Sequence, residues 1–251
     1  MKKIKKIIAI MSCKGGVGKT TISVNLALYL ANFLNKKVGL FDADMYGYNH
    51  INLLKVEKFE HFKLEKKTFN PVNVNNVFSM SLGYFLEKDS AVLLRGPMIS
   101  NTVLYFLNNT LWNDLDYLLI DFPPGTGDVY FALLKNYVID YPILVTLPNL
   151  LSFKDLIKSI AMLKKFNVTI FGIIENMKFY RCNSCGHQEN IYGNSDLLKK
   201  TILDTIKIKF FYEMPFFLDL NVNSDVPNIL YTNNSDILTI YKNLCMYILN
   251  N

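Results

Sequence analysis

Ser12-Cys13-Lys14-Gly15-Gly16-Val17-Gly18-Lys19-Thr20-Thr21 is a run whose residue types suit one chemistry, the holding of a nucleotide's phosphates. Glycines there let backbone N–H groups turn inward around phosphate oxygens, and a helix beginning just after them adds partial positive charge at its N-terminus. In this reading Lys19 neutralises charge on the β- and γ-phosphates and the Thr20 hydroxyl sits on Mg²⁺. The strict pattern has glycine where this chain has Cys13, and a second lysine, Lys14, opens the loop.

Two carboxylates follow apolar runs in the way such a site requires. Asp42-Ala43-Asp44 ends the second run, where a carboxylate could hold an attacking water or touch a metal's shell. Tyr117-Leu118-Leu119-Ile120-Asp121 has the form of a Walker B strand, in which buried apolar residues carry a terminal Asp toward Mg²⁺. The next residues, Phe122-Pro123-Pro124-Gly125-Thr126-Gly127-Asp128, make a shaped turn able to change state when the γ-phosphate leaves.

A third group of residues bears sulfur. Cys182 and Cys185 form a CxxC pair next to Gly186-His187. The spacing admits a redox dithiol, half of a metal site or two ordinary thiols. Haem attachment is excluded, because Gly186 stands where a histidine would have to follow Cys185 directly. Zinc would find three protein ligands in Cys182, Cys185 and His187, one short of a closed site. Two thiolates per chain cannot make a Cys₄ site, but a symmetric dimer can by placing two pairs at its two-fold axis.

The elements that must position these residues are legible as alternating apolar and helical stretches. Strands are expected at Ile4–Met11, Lys37–Phe41, Val77–Leu82, Tyr117–Ile120, Tyr141–Thr146, Thr169–Ile174 and Ile206–Phe211. The clearest helices are expected at Thr20–Leu34, Phe153–Phe166 and Ile237–Leu249. That order implies an α/β fold with a mostly parallel β-sheet and helices on both faces, with ligands beyond the carboxyl ends of the strands. His50 to Val74 reads as a polar, exposed connection without a motif, and Phe179 to Asn190 as a loop insertion.

At 251 residues, 51% hydrophobic and 19% charged, the chain suits a single ordered domain, 1–251. The net charge of +6 comes from scattered pairs such as Lys36/Lys37, Lys66/Lys67, Lys164/Lys165 and Lys199/Lys200, which reads as solvated surface and not as a nucleic-acid face. No apolar run approaches the roughly 20 residues of a membrane span. The first strand begins too near Met1 for a leader ahead of it, so a cytoplasmic protein with no membrane or nucleic-acid partner is expected. Four cysteines do not make a secreted disulfide framework. Cys245 reads as a core thiol, and Cys13 either packs or, beside a helix N-terminus and two lysines, has a lowered pKa.

The string from Lys14 to Thr20 resembles the deviant phosphate loop of the dimeric ATPases related to nitrogenase iron protein and the Min and Par proteins. Together with Asp42-Ala43-Asp44-Met45-Tyr46-Gly47, Arg95-Gly96-Pro97-Met98, Asp116 through Asp128, and Glu175-Asn176-Met177 before the CxxC, it is similar to the Mrp/ApbC family of P-loop ATPases, iron–sulfur cluster carriers. The resemblance implies that Lys14 reaches across a homodimer to the partner's nucleotide, while Gly15, Gly16, Val17, Gly18, Lys19, Thr20 and Thr21 hold the phosphates of ATP. It implies a switch carboxylate at Asp44 that positions the attacking water, an Mg²⁺ site at Thr20 and Asp121, and an adenine contact at Asn176. Cys182 and Cys185, in an insertion near 177–192, would hold a [4Fe-4S] cluster between subunits. The cluster would come from an assembly machinery and pass to apo iron–sulfur proteins, with slow hydrolysis of ATP as the switch. Tyr48 stands where many relatives have proline. The rival reading is a MinD- or ParA-type positioning ATPase on membrane or DNA, against which the last helix, with Lys242 as its single basic residue, speaks.

Overall fold

The computed structural model describes residues 4–47, 49–56, 67–85, 96–182, 184–193, 195–217, 228–232 and 234–251. Tyr48, Lys66, Arg95 and Asn183, and the middle of the polar stretch from His50 to Val74, lie outside the described residues.

In chain order the strands are β1 (Ile4–Met11), β2 (Val38–Asp42), β3 (Val72–Val74), β4 (Val77–Met80), β5 (Leu115–Asp121), β6 (Tyr141–Thr146), β7 (Gly172–Glu175), β8 (Phe179–Arg181), β9 (Gln188–Asn190) and β10 (Phe210–Glu213). The helices are α1 (Lys19–Asn32), α2 (His50–Leu54), α3 (Gly96–Asn109), α4 (Asp128–Asn136), α5 (Leu150–Lys165), α6 (Asp196–Thr205) and α7 (Ser235–Leu249). Eight strands form one sheet in the order β10-β7-β6-β1-β5-β2-β4-β3. All pairings are parallel except β3 with β4. β8 and β9 form a separate antiparallel hairpin.

The near-continuous apolar strands are explained by cover on both faces. Ile8, Ile10 and Leu40 pack with Leu26, Leu30, Tyr241 and Leu244, which places α1 and α7 on one face. Ala9, Met11, Phe41 and Ile120 pack with Val103, Leu133, Ile160 and Ile202, so α3, α4, α5 and α6 cover the other. Alternate residues of a strand thus belong to different cores, as the two-residue period of a strand requires.

β1 and β6 have the expected bounds. Two strands toward one edge start later than expected: β7 at Gly172 rather than Thr169, and β10 at Phe210 rather than Ile206. Gly172 pairs with Phe210 and lies under its ring, where a Cβ would collide. The stretch from His50 to Val74 corrects the expectation of an exposed connection at both ends: it opens with the helical turn α2, whose His50 and Leu54 are fully buried, and closes with β3.

Candidate functional site

The parallel register brings the carboxyl ends of β1, β5 and β2 side by side. Ile10 pairs with Asp121, and Asp121 with Asp42, so two carboxylates meet at one level beside the loop that leaves β1. That loop turns at Gly16 (φ +76°) and Gly18 (φ +85°), in the left-handed region that glycine enters at least cost. Gly18 is the N-cap of α1 and makes no side-chain cap, and the first turn of α1 carries no acid. Its N-terminal N–H groups are therefore left to an anion rather than to a side chain. The Ser12 hydroxyl donates to the Lys14 carbonyl (2.9 Å), and the Gly125 N–H donates to the Ser12 carbonyl (3.2 Å), which ties the turn after β5 to the phosphate loop.

Of the residues expected to hold phosphate, Lys14, Gly15 and Gly16 are exposed, Gly18, Thr20 and Thr21 are half-buried, and Val17 and Lys19 are buried. Lys19 is not free: its Nζ lies 3.2 Å from Asp121 Oδ1. The other oxygen, Oδ2, lies 3.3 Å from His50 Nε2. Burial pushes the Asp121 carboxyl up, but Lys19 and His50 prevail and hold it down to about 2. Its neighbour Asp42 has no such cation in contact, and burial, eased by His50, pushes it up to about 6. Asp42 accepts from the Ser81 hydroxyl (3.1 Å) and the Asp44 N–H (3.1 Å). Asp44 itself is half-buried and turned onto its own loop, where Oδ1 accepts from the N–H groups of Gly47 (3.0 Å) and Tyr46 (3.3 Å).

Asn176 follows β7 directly and reaches the loop from the other side. Its amide donates to the Val17 carbonyl (2.9 Å), and a Cβ at Gly18 would collide with it. Beside it, Met177, Met214, Pro215, Phe216 and Phe217 line a mostly apolar cleft that opens onto Gly18 and Thr21. A flat base fits that chemistry. The following Lys178 is buried and donates to the Ser195 hydroxyl, which donates to Glu175 (2.9 Å).

The cysteine pair sits at the tip of the β8–β9 hairpin. The Cys182 N–H donates to the His187 carbonyl (2.8 Å), and the Gly186 N–H, at φ +72°, donates to the Cys182 carbonyl (2.9 Å). This tight turn aims the N–H groups of Cys185 and Ser184 at the Cys182 sulfur, which lowers its pKa. Cys182 is half-buried and Cys185 exposed. The hairpin is rooted in the wall of the apolar cleft: the Lys178 N–H donates to the Met214 carbonyl (2.9 Å), and the Phe216 N–H to the Phe179 carbonyl (2.8 Å). Cys13 is different in kind. Burial pushes its thiol up although the Ser159 hydroxyl donates to it (2.7 Å), which favours packing over the lowered pKa that its neighbours also admitted.

Sequence spacing draws attention to the loop, Asp121, the cysteines and the Asp42-Ala43-Asp44 carboxylates, but assigns its role to Asp44 and passes over His50. Asp42 ends an apolar strand as Asp121 does, and that parallel is the signal that singles it out from Asp44. A lone His before Ile51, Leu53 and Leu54 gives only a short apolar turn as a clue.

The family described as NUBPL iron-transfer P-loop NTPase (ParA) matches residues 3–249. An iron-sulfur cluster carrier protein of Haemophilus influenzae is 36% identical over 228 residues, which are 91% of this chain and 61% of the relative. One of Escherichia coli is 36% identical over 243 residues, 96% of this chain and 65% of the relative, so the chain spans somewhat under two thirds of the length of these relatives. A nucleotide-binding protein of Archaeoglobus fulgidus, solved with ADP, superposes with a TM-score of 0.70 at 29% identity over 95% of this chain and 86% of that one. With its parallel sheet, its glycine-turned phosphate loop and a match along nearly its whole length, the chain belongs to the family of NUBPL- and Mrp-type iron-transfer P-loop NTPases.

Proposed function

We propose that this chain is an ATP hydrolase that carries a [4Fe-4S] cluster as cargo between the two subunits of a homodimer and delivers it to apo iron–sulfur proteins. The observation that carries this reading is the hairpin: two accessible thiols, one with a lowered pKa, at a tight turn hydrogen-bonded to the wall of the base cleft. Two such hairpins on a two-fold axis complete four thiolates.

The nucleotide chemistry is that of positioning and charge neutralisation. The Thr20 hydroxyl and Asp121 carboxylate are oxygen donors of the kind Mg²⁺ prefers, and Thr20 helps to hold the Asp121 carboxyl ionised. Mg²⁺ held there would neutralise charge on the β- and γ-phosphates. Lys19 leaves Asp121 for the phosphate oxygens, and α1 offers its uncapped N–H groups. Asp44 gives up its loop amides to orient a water, whose oxygen attacks the γ-phosphorus as the bond to the bridging oxygen breaks, the water's proton passing to an oxygen of the departing phosphate and ADP leaving. Asn176 borders the base cleft and holds the loop by its amide. Lys14, exposed in the single chain, is free to reach a partner's nucleotide.

The test is iron, acid-labile sulfide and zinc content with solution mass, after anaerobic reconstitution, for the native protein and for Cys182→Ser/Cys185→Ser. The reading expects about four iron and four sulfide per dimer, lost in the double variant. Cysteine-dependent zinc in place of iron and sulfide overturns it, as does a cluster that survives the substitution. ATP-dependent sedimentation with liposomes or DNA, unchanged in the double variant, would favour the positioning ATPase instead.

A further inference from the structure

His50 has no role in the reading above, yet it is fully buried at the nucleotide end of the sheet. Asp42 at the end of β2, His50 at the start of α2 and Asp121 at the end of β5 each present one donor atom, and the three atoms lie within 4.8 Å of one another. The residues are 2%, 0% and 0% exposed. The 3.3 Å between His50 Nε2 and Asp121 Oδ2 is the separation of neighbouring ligands on one small cation. Metal–ligand bonds of about 2.1 Å put adjacent donors about 3.0–3.4 Å apart.

Two further observations bear on the site. The second ring nitrogen of His50, Nδ1, is buried with no hydrogen-bond partner among the described residues, so the ring is fixed by what Nε2 faces. Lys19 occupies only Oδ1 of Asp121, so Oδ2 and the Asp42 carboxylate are left to His50. An imidazole nitrogen with two carboxylates is a poor set for Mg²⁺, which keeps its waters and prefers oxygen. It suits late first-row divalent ions.

We propose that Asp42, His50 and Asp121 bind a divalent ion of the Fe²⁺, Co²⁺ and Zn²⁺ class in the nucleotide-free protein, at a site distinct from the cysteine pair. The ion replaces the proton between His50 and Asp121 and sits on the side of the carboxylate away from Lys19. The site stands whether or not the hairpin carries a cluster. One consequence does rest on the nucleotide reading: because Asp121 is shared, this ion and Mg²⁺ with ATP exclude each other.

The test uses nucleotide-free, full-length Cys182→Ser/Cys185→Ser protein with Co²⁺ as probe, so failure of the cluster reading has no bearing on it. The expected result is stoichiometric Co²⁺ binding that excess Mg²⁺ does not displace, with an absorption spectrum free of thiolate charge transfer. His50→Gln or Asp42→Asn should weaken it at least about tenfold, with native circular dichroism and cooperative melting retained. Adding Mg²⁺ with ATP should release the cobalt. Absence of bound Co²⁺, equal binding by folded His50→Gln, or a thiolate band overturns the proposal. Should the variants fail to fold, X-ray absorption of the cobalt-loaded parent decides, since imidazole scattering must be present.

Discussion

Asn176 shows how a single residue in this site answers to two neighbours at once: its amide holds the Val17 carbonyl while its bulk forbids any side chain at Gly18. Chemistry at this scale is set by what each group faces, and the cysteines make the point measurable. Cys182 has a lowered pKa because N–H groups point at its sulfur, whereas Cys13 and Cys245 are raised by burial. The sign follows directly. Thiolate is the reactive form, so alkylation of Cys182 should rise with pH below the ordinary thiol value of about 8.5, and that of Cys13 above it. Mass spectrometry of iodoacetamide-treated native protein, free of metal, reads the order. Cys13 labelling ahead of Cys182 at neutral pH would show that exposure and hydrogen bonding are misassigned. The residues legible in sequence are those whose neighbours in the chain determine their role, such as Gly18, Lys19 and the CxxC. His50 is illegible for the opposite reason, since its partners Asp42 and Asp121 come from two other strands.

Elements are legible in the sequence where an apolar run is flanked by unlike residues. β1 and β6 stand out, and the C-terminal helix extends only two residues beyond its expected start, to a cap in which Asn234 accepts from Asp236 and Ile237. α3, α4 and α6 do not stand out in the sequence. The pairing of β7 with β10 depends on a ring over a glycine, a contact between distant segments. Gly172→Ala tests that account. The added methyl meets the Phe210 ring, and overpacking should lower stability by about 1–3 kcal/mol, read as an earlier denaturation midpoint with unchanged m-value. An unaffected midpoint would mean that Phe210 yields freely and does not position the edge strand.

Across the whole molecule, the sheet holds the phosphate end and the hairpin on one set of backbone bonds. Met214 and Phe216 line the apolar cleft beside Gly18 and also bond the root of β8. Filling the cleft should therefore slow amide exchange at Phe216 and through residues 179–182, even though no nucleotide touches the hairpin. Hydrogen exchange with and without Mg²⁺ and ATP, in native protein and in Lys19→Ala, measures it. Protection of the phosphate loop alone would uncouple the two sites. Lys19 carries a last consequence. With its ammonium already paired to a buried carboxylate, a bare phosphate has to strip away an existing partner and leave Asp121 uncompensated. A nucleotide that arrives with its own Mg²⁺ would relieve both ends of that exchange together, so on the proposed reading the loop works as a coincidence detector for phosphate, refusing the bare anion and admitting it with its cation.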